Sequence, residues 1–586
     1  MCGIVGYVGK EKALPIILDG LKFLEYRGYD SAGVAYFKDG NIKITKEVGK
    51  IANLEKIIDY NDESTIGIGH TRWATHGKPS VVNSHPHQNG HFTIVHNGII
   101  ENYLELKNKL IKEGEEFKSE TDTEIVAALL NYNYHGDVLE CIKETLKELK
   151  GSYALGILCD EDENTLYTAR LGSPLIIAHN DSGNFIASDV PAILKYTNKY
   201  YLLDDYEIAS LTKDKITIFD KDLNVLEKEE KVFEGSPEAA MLNGYEHYML
   251  KEINEQPKVF RDTLNYYVDG YEFKNTMPEF KKYDSIHIVG CGSAYHVGLV
   301  GKRLIESYAK IPVKVEVASE YRYDNVFYTP NTLVILISQS GETADTLSSL
   351  RKAKEEGIDT LAIVNVVGSS IAREADETLY IKAGPEIAVA TTKAYSAQAL
   401  LISLLAIKLS GNYELLKELD GTDKLIEETL KTDVKEVSNY IAKRNDSFFI
   451  GRLTDYALCM EGALKLKEIS YINCVAFAAG ELKHGTISLI SEGTPVISIC
   501  TDSSIIEKTI SNIKEVKARD AYVLFITNED IDGDFYDKKI VIPKVSPLVE
   551  SLITIVVLQL ISYEVAKVRG CEIDKPRNLA KSVTVE

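Results

Sequence analysis

The sequence predicts a multidomain chain. It opens with an α+β domain of packed antiparallel sheets and continues with two α/β units, each a doubly wound parallel sheet. Three observations predict this. The 586 residues are enough for three to four domains of ordinary size. The first part, to about Ser210, is a succession of short strand-like runs with turn residues between them and only a few helical stretches. From about Ile286 the texture changes to apolar strands alternating with helices, and this βαβ theme restarts at Phe448.

The elements justify themselves in order. Gly3–Gly9 is an apolar run, and Leu14–Tyr26 carries apolar residues at helical spacing. Val34–Phe37, Ile42–Thr45, Ile66–His70 and Phe92–His96 read as strands. Glu101–Lys112 and Thr121–Tyr132 read as helices, with Ser119 or Thr121 available to cap the second. Tyr153–Cys159, Thr165–Ala169, Leu175–Ala178 and Phe185–Ser188 return to strand. The charged stretch after Leu211, broken at Gly235-Ser236-Pro237, reads as a linker. Ile286–Gly290, Val313–Val317, Leu333–Ile337 and Thr360–Val364 are buried-type strands, and a helix over Ser396–Leu409 closes the first α/β unit. Phe448–Gly451, Val496–Cys500, Tyr522–Ile526 and Lys539–Ile542 repeat the pattern, with helices over Asp455–Ser470 and Leu548–Val568. The two units read as a degenerate internal repeat, and the polar tail Asp574–Glu586 shows no core face.

Composition narrows the function classes. Lys and Arg number 66 against 88 Asp and Glu, a net charge of −22, which disfavours nucleic acid and anionic membranes as partners. A locally positive pocket for a small anion remains compatible with that charge. Hydrophobic residues at 45% and charged residues at 26% exclude a disordered chain. The eight cysteines are scattered with no CxxC pair, which argues against a disulfide framework and a thiolate zinc site and fits a reducing cytoplasm. No basic segment leads into an apolar run at the N-terminus, so no signal peptide is expected. Leu552–Ile561, the most apolar late stretch, is expected to be a buried helix too short to span a bilayer.

The residue with the sharpest chemical option is Cys2. With Met1 removed it would carry a thiol nucleophile and a free α-amine, whose ordinary pKa near ~8 lets it serve as a base. Four polar stretches follow between strands: Leu24–Ser31, His70–Gly77, His96–Asn102 and Ser119–Glu124. Within them Arg72 suits a carboxylate and Asp122 an ammonium group, so together they would clamp an amino acid by both ends. The side-chain N–H of Asn97 and the backbone N–H of Gly98 would suit an oxyanion. Each stretch also has a purely local reading, His96-Asn97-Gly98 as a turn and Ser119–Asp122 as a helix cap. The run Ser84–His91 holds three histidines but no matching Cys or carboxylate set, and its Pro and Gly make it a loop and not a metal site.

The second half offers a different chemistry. Ser338–Thr346 (SQSGETADT) follows a strand and opens a helix, bringing hydroxyls, an amide and a helix N-terminus together as a phosphate would require. The turn Gly290–Tyr295 is not a dinucleotide fingerprint, because Tyr295 stands where the last glycine is needed, and no P-loop lysine follows either turn. Glu461, Lys465 and Glu468 share one helical face, which could be a plain surface ion pair. Glu468 and His484 could shuttle protons in an aldose–ketose isomerisation. Lys581, near the terminus, could form a Schiff base with a ketose carbonyl.

The ordered motifs MCGIVGY, LEYRGYDSAG, HTRWATHG, HPH, VHNGIIENY, SETDTE and GSPL resemble the class II (N-terminal nucleophile, Ntn) glutamine amidotransferase family. SQSGETADT, EGALKLKEISY, AAGELKHG and DKPRNLAKSVTVE resemble the paired sugar-isomerase (SIS) domains of the glutamine–fructose-6-phosphate aminotransferase family, to the last residue. The resemblance implies an Ntn-hydrolase-type αββα sandwich followed by two flavodoxin-like SIS domains. Its boundaries are 2–217 for the glutaminase, 218–245 for a linker, 276–416 and 440–576 for the SIS domains, and 577–586 for a tail closing the sugar site. It implies that Cys2 attacks the amide of L-glutamine, with Asn97 and Gly98 as oxyanion hole, Arg72, Thr75, His76 and Asp122 binding glutamine, Arg27 in support and Trp73 gating an ammonia channel. It implies that Ser338, Gln339, Ser340 and Thr343 hold the phosphate of D-fructose 6-phosphate, with Ser293, Val389 and Thr391 lining the sugar. Glu468 would move the proton between C1 and C2 with help from Lys465, His484 of a second subunit would open the ring, and Lys581 would form the imine. The turn departs from the family in having Ala294 where a hydroxyl residue is common, so only Ser293 is carried over.

A cytoplasmic homodimer with a shared sugar site follows from the resemblance, with no cofactor, no metal, no nucleic acid and no membrane. Two rivals are weighed beside it. A class II amidotransferase with another phosphosugar or an ATP-dependent acceptor would need a pyrophosphate or ATP loop, and none is found. A non-catalytic sugar-phosphate-binding SIS protein would have no use for Cys2, Arg72, Asp122 or Lys581.

Overall fold

The computed structural model describes residues 2–73, 77–233 and 242–584. The chain divides into two compact units, residues 1–241 with 580–586, and Leu242–Leu579.

The first unit is built on two sheets. The eight-stranded sheet runs in the spatial order Lys231–Val232, Lys199–Leu202, Ile176–Asn180, Gly183–Ala187, Gly3–Gly9, Ile66–Arg72, Ser31–Lys38 and Asn41–Val48. The seven-stranded sheet runs Val225–Leu226, Ile216–Phe219, Ile208–Leu211, Asp162–Leu171, Gly151–Cys159, Phe92–Ile100 and His87–Asn89. Side chains alternate across a strand, so Gly3–Gly9 sends Ile4 and Val8 one way and Val5 and Tyr7 the other. Ile4 and Val8 join Ile68, Val95, Leu158 and Ile186 in the core between the sheets. Val5 and Tyr7 pack under helix Ala13–Leu24 with Leu14, Ile17 and Leu21. Helices Tyr103–Lys112, Asp122–Asn133 and Val138–Glu148 cover the second sheet through Leu106, Ile125, Leu129 and Ile142. The layers are therefore helix, sheet, sheet, helix, which is the expected αββα sandwich.

The second unit contains two five-stranded parallel sheets of identical order. The first is Val313–Val317, Ser285–Gly290, Thr332–Ser338, Asp359–Val364 and Glu377–Tyr380. The second is Asn473–Ala478, Asp446–Gly451, Pro495–Cys500, Tyr522–Thr527 and Lys538–Val541. This is the internal repeat read from the sequence. Helices Ser293–Tyr308, Lys393–Ser410, Thr454–Ser470 and Pro547–Val568 form one core shared by both lobes, with Val297, Leu404, Leu458 and Ile553 among its members. The last of these helices has 22 residues and a mean hydropathy of 1.7, enough by length and composition to cross a membrane, and the unit buries 89% of its most apolar window as core. Even its polar Gln559 is paired there, accepting from Gln256 Nε2 at 2.8 Å and donating to the Thr392 carbonyl at 3.2 Å.

Sequence patterning missed three kinds of element. Strand Glu377–Tyr380 is a sheet edge, and so is Asn473–Ala478, and each has an exposed first residue and no clean alternation. Helices Tyr248–Asn254 and Gln256–Tyr267 went unread ahead of the first α/β unit. The span assigned to a linker from 218 holds strands Val225–Leu226 and Lys231–Val232, which pair with Ile216–Phe219 and Lys199–Leu202. Two-residue edge strands flanked by Lys and Glu carry no apolar face to recognise them by.

Candidate active sites

Cys2 stands at the mouth of strand Gly3–Gly9 and is half-buried. Its position depends on Gly3, where a Cβ would meet Thr71 Oγ1 at 2.6 Å and Leu24 Cβ at 2.7 Å. The thiol faces the backbone of Trp73, whose N–H points at Sγ from 3.3 Å and whose carbonyl oxygen lies 3.6 Å from it. Gly28 holds that stretch of backbone close, since a Cβ there would sit 2.6 Å from both the Arg72 carbonyl carbon and the Trp73 nitrogen. Burial pushes the Cys2 thiol up, while the Trp73 N–H and the Arg72 charge pull it back toward thiolate.

The clamp residues gather around the thiol. Arg72 is buried at the end of strand Ile66–Arg72, donates to the Gly77 carbonyl at 3.2 Å, and has the charges of Cys2, Asp30 and Asp122 acting on its guanidinium. Asp122 opens helix Asp122–Asn133 and is also buried. One of its oxygens accepts from the Ile100 N–H at 2.9 Å, which fixes the carboxylate and leaves the other oxygen for an ammonium group. The helix start is steadied by Glu124, which accepts from the Lys118 N–H at 2.9 Å and the Ser119 N–H at 2.6 Å and so ties the preceding loop to the first turn. Asn97 Nδ2 donates to the Cys2 carbonyl at 2.9 Å, and Gly98 follows with φ of +131°. An amide NH₂ has two hydrogens, so Asn97 keeps one for an oxyanion. Arg27 is buried and pairs with Asp189 at 2.6 Å. Trp73 is half-buried. Thr75 and His76 lie outside the described residues. The histidine-rich run is inside the fold: His85 and His87 are buried, and burial drives both well below the ordinary imidazole range. Among the described residues no three His, Cys, Asp or Glu side chains gather as a metal ion would need.

In the second unit the loop Ser338–Thr343 joins strand Thr332–Ser338 to helix Ala344–Glu355. Ser338 Oγ accepts from the Gly341 N–H at 3.0 Å and hydrogen-bonds Thr343 Oγ1 at 3.0 Å, and Ser340 Oγ accepts from the Glu342 N–H at 3.2 Å. Gly341 has φ of +66°, and a Cβ there would collide with Ser369 Oγ at 2.0 Å. Thr343 is the N-cap of that helix and makes no side-chain cap bond, and a helix start following a strand suits an anion. Val389 is buried, its N–H bonded to the Asp574 carbonyl at 2.9 Å, and Thr391 Oγ1 donates to Glu386 at 3.0 Å.

The acid–base cluster is deeper than a surface ion pair. Glu461 and Lys465 are 0% and 1% exposed. Lys465 Nζ lies 2.7 Å from Glu468 and 3.5 Å from Glu461. Burial works against both charges, yet Lys465 holds Glu461 below the ordinary carboxylate range and the two glutamates hold Lys465 above the ordinary lysine range. Glu461 also accepts from Ser293 Oγ at 2.8 Å and meets His296 Nδ1 at 2.7 Å, which ties the first lobe to the second. His296 carries no signal in the sequence, because a single histidine on an apolar helix face looks like any buried one. His484 is exposed, and Lys581 is half-buried on the tail.

The second lobe repeats the cradle and then fills it. Leu453 has φ 55° and ψ −120°, matching Gly292 of the first lobe at φ 54° and ψ −124°. Asp455 therefore takes the place of Ala294, and a Cβ on the preceding glycine, Gly451 or Gly290, would press on each in turn. Asp455 accepts from the Thr501 N–H at 2.9 Å, and the Thr501 hydroxyl contacts both Asp455 and Glu550. Burial holds the carboxyls of Asp455 and Glu550 above their ordinary range, helped at Asp455 by the charge of Asp502 and at Glu550 by the charges of Asp455 and Asp502. The backbone N–H that follows strand Pro495–Cys500 is thus taken by the second lobe's own Asp455 carboxyl.

Comparison with known proteins agrees with this division. A glutamine amidotransferase domain profile matches residues 74–195, and a SIS domain profile matches residues 279–408 and again 440–568. The glutamine–fructose-6-phosphate aminotransferase (isomerizing) of Caldanaerobacter subterraneus subsp. tengcongensis is 50% identical, with 100% of both chains covered. That of Clostridium tetani is 49% identical with the same coverage. Among solved structures, the C-terminal domain of glucosamine-fructose-6-phosphate aminotransferase from Francisella tularensis is 36% identical with a TM-score of 0.55, covering 57% of this chain and 100% of that one.

Proposed function

The chain belongs to the glutamine–fructose-6-phosphate aminotransferase family, and we propose that it converts L-glutamine and D-fructose 6-phosphate to L-glutamate and D-glucosamine 6-phosphate. The observation that carries this is one chain matched over its whole length to such enzymes while placing a Trp73-bound Cys2 in one unit and the Glu461–Lys465–Glu468 cluster in the other. The Cys2 thiolate adds to the glutamine side-chain carbonyl, and the oxyanion takes N–H bonds from Asn97 and Gly98. Ammonia leaves, and water releases glutamate from the thioester. Arg72 and Asp122, with Thr75 and His76, hold the amino acid's charged ends. The α-amine is free only when Met1 is gone, so the active chain begins at Cys2. Ammonia reaches the sugar site past Trp73, sheltered from water.

At the sugar site Ser338, Gln339, Ser340 and Thr343 hold the phosphate, and Ser293, Val389 and Thr391 line the sugar. Lys581 forms the imine at C2, and Glu468 carries the proton between C1 and C2 with the assistance of Lys465. The exposure of His484 supports its working in a second copy's site, in a cytoplasmic homodimer that binds neither nucleic acid nor membrane. Mass detection of glucosamine 6-phosphate from the two substrates tests the whole reading, with the intact N-terminal mass measured alongside. Cys2→Ala is expected to lose the glutamine-dependent product and keep phosphosugar isomerisation; glutamine-dependent product from Cys2→Ala would sink the nucleophile. Mixing inactive His484→Ala and Lys581→Ala chains should restore activity if the site is shared.

A further inference from the structure

His70, on strand Ile66–Arg72, is 0% exposed and stacks on His85 with ring centroids 4.0 Å apart. Its Nε2 lies 3.0 Å from the His96 carbonyl oxygen and 3.1 Å from Asn97 Oδ1. Both neighbours are acceptors, so Nε2 carries the ring's proton. The other end of the same amide gives the same orientation: Asn97 Nδ2 faces the Cys2 carbonyl, which can only accept, at 2.9 Å. A flipped Asn97 would set its NH₂ against the His70 N–H and its oxygen against the Cys2 carbonyl. Two repulsive contacts in a buried site make that flip costly.

The surrounding rings hold His70 in this state. Its Nδ1 is buried with no hydrogen-bond partner among the described residues, so a second proton there would have no acceptor. Burial accordingly drops the imidazole to about 3, and the ring stays neutral wherever the enzyme works. The stacked neighbour cannot turn freely either. The His96 N–H donates to His85 Nδ1 at 3.3 Å, which leaves the His85 Nε2–H facing Thr123 Oγ1 at 3.4 Å. The Thr123 hydroxyl then donates to His96 Nδ1 at 3.0 Å. Each bond fixes the direction of the next.

We propose that His70 is a positioning residue for amide hydrolysis: its Nε2–H locks the Asn97 carboxamide with both N–H groups toward Cys2, one on the Cys2 carbonyl and one for the oxyanion. This rests on the reading of Asn97 as an oxyanion donor. His70 itself exchanges no proton with the substrate.

Glutamate release is measured for the full-length parent, His70→Leu, His70→Gln, Asn97→Ala and the His70→Leu/Asn97→Ala double variant. Loss of the orienting bond is expected to lower kcat by ~100-fold, the scale of one lost oxyanion donor, with KM for glutamine little changed. Synthesis from free ammonia and fructose 6-phosphate stays at the parental rate. His70→Gln, whose side-chain N–H reaches the Nε2 position, recovers most of the loss. In the Asn97→Ala background His70→Leu costs less than roughly threefold, because the group it acts through is gone. Parental kcat in His70→Leu, an equal loss in the Asn97→Ala background, or no rescue by Gln would each overturn the proposal. Parental glutamate release by Asn97→Ala would instead remove the reading beneath it. If the first unit of His70→Leu does not fold, seen as loss of its own calorimetric transition, His70→Asn, which reaches only the Nδ1 position, takes its place in the comparison with His70→Gln.

Discussion

The proposed glutaminase chemistry places a demand on residue type at Gly98. Its φ of +131° is open to glycine and strained for any other residue, and a Cβ there would sit 2.0 Å from the Ser152 carbonyl oxygen. Gly98→Ala must therefore shift the strand that presents Asn97 and the Gly98 N–H to the thiol. We expect glutamate release to fall by ~10²-fold, as for a lost oxyanion donor, while ammonia-dependent synthesis is kept. A parental kcat for glutamine would show that the Gly98 N–H is not a donor. Arg72 and Asn97 were legible in the sequence because each sits in a polar stretch marked by a glycine, Asp122 because its polar stretch reads as a helix cap, and Cys2 because it follows Met1. Glu461, Lys465 and Glu468 were legible as a helical face, but periodicity does not say whether a charged face points to water or to a partner lobe. The 0% exposure of Glu461 answers that, and only the fold could supply it. His70 and His296 were invisible for a related reason: their roles lie in what they bond across strands and lobes, and neither neighbour is near in sequence.

The repeated turns of the two lobes give predictions at the level of the element. Leu453 keeps a backbone conformation that the first lobe assigns to Gly292, although Leu453 is 42% exposed and gains little from burial. Holding a branched residue there costs on the order of 1–3 kcal/mol, against ~0.5–1 kcal/mol for the extra unfolded-state freedom of glycine. Leu453→Gly should raise the thermal midpoint of the second unit, and a lowered midpoint would mean that the turn is not strained. The filled cradle beside it titrates. Glu550 and Asp455 hold their protons above the ordinary carboxyl range, so the folded unit binds protons that the unfolded chain releases near pH ~4. Their contribution is complete below that pH and is lost as the pH rises. Glu550→Gln removes the Glu550 share of that slope, so its midpoint should gain on the parent between pH 5 and pH 9, as read by thermal melts across roughly that range. A constant difference would place the shared proton elsewhere. The fold was legible here because strands buried on both faces read as apolar runs. The edges Glu377–Tyr380 and Asn473–Ala478 escaped because an edge needs neither alternation nor a continuous apolar run.

For the whole molecule, the two units keep separate cores. The clusters around Val5, Ile4 and Ile125 lie in the first unit, and the large shared cluster around Leu404 and Ile553 lies in the second. Motif order along the chain made this division readable, since every glutamine-clamp stretch precedes every phosphosugar stretch. A core that closes on itself needs no neighbour to fold, and the Francisella tularensis C-terminal domain, 36% identical, is a structure of that half by itself. We therefore expect a chain beginning at Leu242 and running to Glu586 to fold alone, with one cooperative thermal transition. It should convert fructose 6-phosphate with added ammonium salt and be indifferent to glutamine. The full-length chain should show two calorimetric transitions, of which only the one belonging to the sugar half moves up with fructose 6-phosphate, by mass action on the state that binds it. A fragment that aggregates, or a full-length chain that melts in a single transition raised by either substrate, would show that the units stabilise one another and that the separation of cores does not extend to their stability.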